Sequence, residues 1–175
     1  MELRRYDEAD RESVAVLDVE TPVTSFADVE LHAGSFSWQE TALADPIVKR
    51  HDLAHYLTEG PAGWDHALVA IRNDRICAFS ACEFSAWNRR LTILHMYVSR
   101  PARGQGIGRA LLDAMLSVSS PDDAQHVWLE TQVNNVPAIR AYEQMGFRIV
   151  GLDQTLYADH PDADTALYMS RRVAD

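Results

Sequence analysis

At 175 residues, with 47% hydrophobic and 24% charged side chains, the chain suits one domain spanning 1–175 that can bury a sizeable core. It has no run of about 18 apolar residues, and Met1-Glu2-Leu3-Arg4-Arg5-Tyr6-Asp7 lacks the apolar stretch of a secretory signal, so a cytoplasmic location is expected. A formal net charge of −10 repels nucleic-acid phosphates and anionic lipid, which argues against both as partners, and is mildly favourable to a cationic amine.

Leu3 to Tyr6 reads as a first strand, and Asp7 to Asp10 can cap a helix running to about Val19. Glu20 to Asp45 mixes Thr, Ser, Pro and Gly with Phe26, Phe36 and Trp38 and shows no period. Pro46 is expected to start a helix from Ile47 to Leu57. Lys49, the only lysine, is read as a matter of composition rather than function. His51 and His55 stand at i, i+4, a spacing compatible with a metal, but with no third ligand evident they are expected to be exposed, and no metal is expected. A turn follows at Gly60-Pro61-Ala62-Gly63.

Three strands then follow, Asp65 to Arg72, Ile76 to Phe84 and Leu91 to Val98, with turns at Asn73-Asp74 and Ser85 to Arg90. Cys77 and Cys82 are five apart in one strand, which puts them on opposite faces as small unbridged hydrophobes. Gly106 to Ser117 is a helix, Pro121-Asp122-Asp123 a break, and His126 to Gln132 a strand. Val136 to Met145 is a helix ended by Gly146, and Phe147 to Gly151 is a strand. Asp153 to Asp164 is irregular, its aspartates (Asp153, Asp159, Asp162, Asp164) read as a solvated loop, and Ala166 to Arg172 is the last strand. Strands that meander and then alternate with helices imply a mixed α/β sheet.

The most informative stretch is Arg103-Gly104-Gln105-Gly106-Ile107-Gly108-Arg109, between a strand and a helix. Glycine lets backbone N–H groups approach a ligand, and the free N–H groups of a helix start favour an anion. A phosphate-bearing ligand is the physical expectation. The Gly-Lys-Ser/Thr ending of a nucleotide phosphate loop is missing, and the sixth place of a dinucleotide fingerprint counted from Gly104 is Arg109, not glycine.

What fits is Arg/Gln-x-x-Gly-x-Gly/Ala, read as Arg103, Gly106 and Gly108, which resembles the acetyl-CoA pyrophosphate loop of the GNAT N-acetyltransferase superfamily. A second block, Leu129-Glu130-Thr131-Gln132 through Asn135, Tyr142 and Gly146-Phe147, resembles the strand, Asn, Tyr-bearing helix and Gly-Phe pair that follow in the same superfamily. Ala86-Trp87-Asn88-Arg89 and Leu156-Tyr157-Ala158, taken with both blocks, resemble the streptothricin acetyltransferases within it. The chain departs from that group at Leu94 and His95, where acidic residues are usual.

The resemblance implies an α/β (α+β) GNAT-like fold: a mixed, mostly antiparallel central sheet flanked by helices, with a splayed strand pair holding acetyl-CoA. It implies transfer of an acetyl group from acetyl-CoA to a primary amine of a small molecule, such as an antibiotic, by direct attack and without a metal. Met96, Tyr97 and Val98 would offer backbone groups to the acetyl-pantetheine arm. Gly104, Gln105, Gly106, Ile107, Gly108 and Arg109 would hold the pyrophosphate through N–H groups, with Arg103 and Arg109 adding charge. Asn135 and Ala138 would border the cofactor, although Asn135 could instead cap the helix. Tyr142 is the expected general acid, with ring packing as its alternative role; Glu130 is the first choice of general base, followed by Glu83, His95 and a water relay. Acetylation of protein N-termini or lysines, a non-catalytic acyl-CoA sensor, and a homodimer all stay open.

Overall fold

The computed structural model describes residues 1–58, 63–118, 124–158 and 164–173. Along the chain these form β1 (Glu2–Arg5), α1 (Arg11–Ala15), β2 (Thr21–His32), β3 (Ser35–Lys49), α2 (Leu53–Thr58), β4 (His66–Arg72), β5 (Arg75–Ser85), β6 (Arg90–Val98), α3 (Ile107–Val118), β7 (His126–Gln132), α4 (Val136–Gln144), β8 (Arg148–Asp153) and β9 (Ala166–Arg172). Two compact units result, one drawn mainly from Met1–Thr21 and Arg50–Val127, the other from Pro22–Lys49 and Trp128–Arg172. No described helix is long and apolar enough to cross a membrane. The expected breaks at Gly60-Pro61-Ala62 and Pro121-Asp122-Asp123 lie outside the described residues.

In the first unit the strands run β1-β4-β5-β6, every neighbouring pair antiparallel. α3 turns Ile107, Leu111, Leu112 and Met115 inward, the spacing of one helical face. Ile107, Leu111 and Met115 join Leu68, Ala70, Ala78, Cys82 and Leu91 in one core cluster. Val14 of α1 packs with Val69, Phe79 and Ala81 in a second.

Two bulges reset this alternation. Ala70 pairs Ala78 while Ile71 pairs Ile76, so Cys77 is the extra residue on β5. An extra residue reverses the inward parity of everything beyond it. Cys77 and Cys82 therefore pack against the same core cluster, not on opposite faces; neither is in a disulfide, and Cys82 is fully buried. On β6 the extra residue is Leu94, between His95 opposite Ala81 and Ile93 opposite Cys82. Leu91 faces the α3 cluster before the bulge, and Met96 and Val98 face it after, which leaves Tyr97 with the Phe79 cluster.

The first helix is shorter than expected. Asp7 does cap, accepting from the Ala9 N–H at 2.9 Å, but it opens a 3-10 turn, and α1 ends at Ala15. Val16, just past its end, is 81% exposed. The expected helix from Pro46 is corrected outright: Pro46, Ile47 and Val48 lie in β3. That strand belongs to a two-stranded sheet, whose open edges tolerate a residue without an N–H. The helix start is Asp52, whose Oδ1 accepts from the His55 N–H at 3.0 Å.

In the second unit β9 lies between β7 and β8, and β8 pairs β9 antiparallel with a bulge at Val150. The unreadable stretch after Glu20 is the β2–β3 hairpin. β2 buries Val23, Ser25 and Ala27 in alternation. The Ala27 N–H donates to the Val133 carbonyl at 2.8 Å. The Trp38 indole donates to Glu143 on α4 at 2.8 Å, and Arg140 of α4 pairs with Glu40 of β3. α4 ends at Gly146 (φ 88°), with Arg171 donating to the Met145 carbonyl at 2.8 Å.

The hairpin turns through Ala33 (φ 49°) and Gly34 (φ 82°), both left-handed. Two-residue turns of this kind match strand twist but strain a residue bearing a Cβ. Ala33→Gly is expected to stabilise the protein by about 0.5–1 kcal/mol, a rise of roughly 2–4 °C in Tm measured by thermal unfolding.

Candidate active site

After β6, the backbone of the glycine stretch takes the shape of an anion cradle. Gly104 and Gly106 have φ of 72° and 78°, and a Cβ built on either meets nothing within 4 Å, so both open to free space. Ile107, 3% exposed, anchors the first turn of α3 in the core. The next N–H to bond within the helix is that of Ala110, to the Gly106 carbonyl at 3.0 Å. A Cβ on Gly108 would stand 3.9 Å from the Met96 Sδ, so β6 backs the loop closely. These features suit a diphosphate held by main-chain N–H groups. Gln105 and Arg109 are exposed.

Arg103 requires correction. Its guanidinium does not reach toward that space. Nε donates to the Val98 carbonyl at 3.1 Å, Nη1 to Glu20 at 3.0 Å and Nη2 to Val19 at 2.9 Å. Three carbonyls take its donors, so Arg103 shapes the loop instead of adding charge at a phosphate. Burial lowers its pKa, partly offset by Asp18.

The Leu94 bulge governs the residues beside the loop. His95 stacks near Tyr56 and Tyr97, with ring centroids 5.8 and 6.0 Å away, and meets the Trp64 ring edge-on at 6.0 Å. Its Nδ1 is buried without a hydrogen-bond partner, and burial pushes its pKa down. A neutral, aromatic-packed imidazole is a weak base candidate. Glu83 is half-buried opposite Thr92 on the β5–β6 ladder. The His51–His55 pair is not a helical pair: His51 precedes α2 and its ring lies 5.3 Å from that of Tyr97. Among the described residues no cluster of three or more His, Cys, Asp or Glu could hold a metal.

The second unit carries Glu130 on β7. Tyr157, part of the Leu156-Tyr157-Ala158 stretch of the resemblance but given no role there, donates its hydroxyl to Glu130 Oε2 at 2.8 Å. Oε1 is buried and has no hydrogen-bond partner. Burial raises the carboxyl to about 7; Tyr157 and Lys49 pull it down and Asp164 pushes it up. Tyr142, on α4, has its phenol pushed up to about 12, chiefly by burial, with the Glu130 charge adding. Its ring meets Phe147 edge-on, centroids 5.5 Å apart. Ala138 precedes it by one helical turn. Asn135 is the N-cap residue of α4, yet its side chain makes no capping bond, so capping does not occupy it.

Asp164 differs from the solvated loop expected of it. Its side chain is only 11% exposed and lies 3.9 Å from the Nζ of Lys49, itself 14% exposed. Asp159 and Asp162 lie outside the described residues. Lys49 also donates to Asn134 Oδ1 at 2.7 Å. The one lysine is thus a half-buried cation in a polar cluster.

A model of the acetyltransferase (GNAT) family matches residues 26–147. The chain belongs to that family. Streptothricin acetyltransferase of Streptomyces lavendulae is 35% identical over 97% of this chain and 93% of its own length. The crystal structure of nourseothricin acetyltransferase superposes with a TM-score of 0.82 at 32% identity, covering 98% of each chain. A candidate streptothricin acetyltransferase from Bacillus anthracis, solved with acetyl coenzyme A, reaches a TM-score of 0.84 at 20% identity over 98% of each chain, a likeness of fold. The mixed α/β architecture with mostly antiparallel pairing is the GNAT one. The chain is an acetyl-CoA-dependent N-acetyltransferase, and its acceptor is an amine.

Burial of Glu130 has a stability consequence. Below about pH 4.5 the carboxyl holds its proton in both folded and unfolded chains. Between 4.5 and about 7 only the unfolded chain ionises freely, so the native state loses stability as pH rises through this window. Glu130→Gln removes the penalty and can still accept from Tyr157. Its Tm is expected to match the wild type near pH 4 and exceed it at pH 8, by an amount corresponding to about 1–2 kcal/mol after solvent screening, followed by thermal melts across pH.

Proposed function

We propose that this GNAT enzyme acetylates a primary amine on a small cationic antibiotic of the streptothricin type, with Glu130 as general base and Tyr142 as general acid. Kinship with a streptothricin acetyltransferase along nearly the whole of both chains supports the acceptor class. The observation that carries the mechanism is the Glu130 carboxyl, held near neutrality with one oxygen uncommitted. An ammonium must lose a proton before nitrogen can attack, and a base with pKa near 7 exists largely as carboxylate at the working pH while still competing for that proton.

Acetyl-CoA supplies the thioester carbonyl carbon. One ammonium proton passes to a Glu130 oxygen; the freed amine attacks, the new C–N bond forms as the C–S bond breaks, and the second nitrogen proton leaves to solvent. Tyr142, firmly protonated at neutral pH, delivers its proton to the departing sulfur, and both side chains are restored by exchange with solvent. The Gly104–Arg109 backbone holds the pyrophosphate, with Arg103 fixing that backbone from behind; Met96 to Val98 offer main-chain groups to the pantetheine arm, and Asn135 and Ala138 border it. Glu83 and His95 are left with no part in the proton transfers.

Gly106→Asp places a side chain and a negative charge at a left-handed position open to the phosphates. Acetyl-CoA affinity by calorimetry is expected to fall at least 100-fold; unchanged affinity would remove the loop from the cofactor site. The second test follows CoA release with a panel of streptothricins, aminoglycosides, diamines and N-terminal peptides. Streptothricins are expected to give the highest kcat/KM, with an acidic limb near pH 7 that Glu130→Gln abolishes along with about 100-fold in rate. Tyr142→Phe is expected to lower kcat about 10-fold or more with little change in KM for acetyl-CoA. Preference for a peptide N-terminus would overturn the acceptor class, and an intact limb in Glu130→Gln would overturn the base.

A further inference from the structure

We propose that Tyr157 is a positioning residue for acetyl transfer: held in place by a turn built on Asp153, its hydroxyl engages Glu130 Oε2 and leaves Oε1 as the oxygen that takes the acceptor's proton. The inference rests on Glu130 as the base only where it is read through rate.

The contact is direct. The Tyr157 hydroxyl donates to Glu130 Oε2 at 2.8 Å, across 27 residues of sequence. Oε1 is buried and has no hydrogen-bond partner. The two oxygens of one carboxylate are thereby made unequal. A donor stabilises negative charge on the oxygen it meets, so a proton entering the group goes preferentially to the other one. The N–H bond of the ammonium breaks, its electron pair stays on nitrogen, and the new O–H bond forms at Oε1. The same hydrogen bond fixes the last torsion of the side chain, which in a free glutamate is a broad two-fold rotor.

Tyr157 lies outside any helix or strand, in the turn after β8, and its placement has a visible cause. Asp153 ends β8. Its Oδ1 accepts from the Thr155 N–H and the Thr155 hydroxyl, each at 2.7 Å, and from the Leu156 N–H at 3.2 Å. The Ala158 N–H closes the turn onto the Thr155 carbonyl at 3.2 Å. An aspartate that bonds the backbone two residues on mimics a backbone turn and so fixes the chain's direction. This turn is tied back to the sheet. The Tyr168 hydroxyl of β9 donates to Asp153 Oδ2 at 3.4 Å, and the Tyr168 ring stacks on Trp128 of β7, centroids 5.0 Å apart. Gly151 leaves room for that ring, since a Cβ there would stand 3.3 Å from Tyr168 Cδ2. Trp128 and Glu130 are two apart on β7 and share a face. The mount and the carboxylate it serves therefore stand on one surface of the sheet.

Other titratable groups act on Glu130 from around it: Tyr142 on α4, Tyr168 on β9, Lys49 at the end of β3 and Asp164 ahead of β9. Tyr157 acts by direct contact, and its bond favours the ionised form. A merely structural tyrosine would lower Tm when altered and leave the carboxyl midpoint where it was.

The test is NMR titration of the Glu130 carboxyl carbon in the full chain, together with the pH profile of kcat/KM, in Tyr157→Phe, Asp153→Ala and the double variant. Tyr157→Phe keeps the ring and removes only the donor. Its Glu130 midpoint is expected to rise by roughly one unit and to carry the acidic limb with it. The rate then falls about tenfold on that limb and returns toward wild type on the alkaline side, with KM for acetyl-CoA little changed. Asp153→Ala is expected to move the midpoint the same way, and the double variant no further than Tyr157→Phe. An unmoved or lowered midpoint in Tyr157→Phe overturns the proposal, and a double variant whose shifts simply add overturns the mount on Asp153. A midpoint that rises beside an unmoved rate profile keeps the hold on Glu130 and overturns Glu130 as the base. If Tyr157→Phe does not fold, Asp153→Ala carries the test, and a midpoint that fails to rise there overturns the proposal.

Discussion

One carboxylate held out of water sets the terms for the second unit. Glu130 keeps a single hydrogen bond, from Tyr157, and leaves its other oxygen enclosed and unmatched. A buried charge with so little compensation destabilises the folded state unless it takes up a proton or finds a counter-charge. The surroundings supply half of each remedy. The Lys49 charge favours ionisation, and the Asp164 charge opposes it. Burial is the larger influence and pushes the carboxyl up to about 7, and a group that titrates near neutrality can move a proton in either direction during turnover. The same burial that weakens the fold at high pH therefore makes the residue useful.

The first unit solves a different problem with backbone rather than charge. A chain with a net charge of −10 must still receive a polyanionic cosubstrate. An array of arginines would be one answer. Here the arginine that heads the loop turns inward onto three carbonyls, and the loop leaves open space beside the backbone of Gly104 and Gly106. The bulge at Leu94 contributes by reversing the parity of β6. Met96 and Val98 then back the loop and α3, while Tyr97 joins the aromatic side together with His95. A strand with unbroken alternation would have placed these side chains the other way about.

Elements whose apolar residues follow their own period were legible in the sequence. β7 and β9 begin and end where alternation of Val127, Leu129 and Thr131, and of Leu167 and Met169, places them. α3 announces itself by the stripe from Ile107 to Met115. The β2–β3 hairpin did not, because its inward positions include Ser25 and Ala27, and because partners such as Glu143 lie 105 residues from Trp38. Bulges are equally silent: nothing local marks Cys77 or Leu94 as an extra residue, and each one inverts a face assignment. At the candidate site Glu130 and Tyr142 were readable from a family pattern, whereas Tyr157 and Asp164 reach Glu130 only through tertiary structure. Lys49 did leave a trace, as the one lysine in an arginine-rich set, and burial supplies the reason that composition could not.

The charge count of this cluster bears on its acceptor. Lys49 favours the ionised form of Glu130 and Asp164 the protonated form, and an ionised Glu130 adds one negative charge to the cluster. An ammonium arriving beside it offsets that charge and so favours the carboxylate form, since an opposite charge at short range lowers a carboxyl pKa. With Glu130 in its proposed role, the acceptor thereby helps to generate the base that deprotonates it. A neutral amine offers no such assistance, and an anionic substrate would drive Glu130 toward the acid, where it can take no proton. In the proposed mechanism, selection for a cationic amine then follows from the electrostatics of proton removal, before any contact with the remainder of the substrate is made.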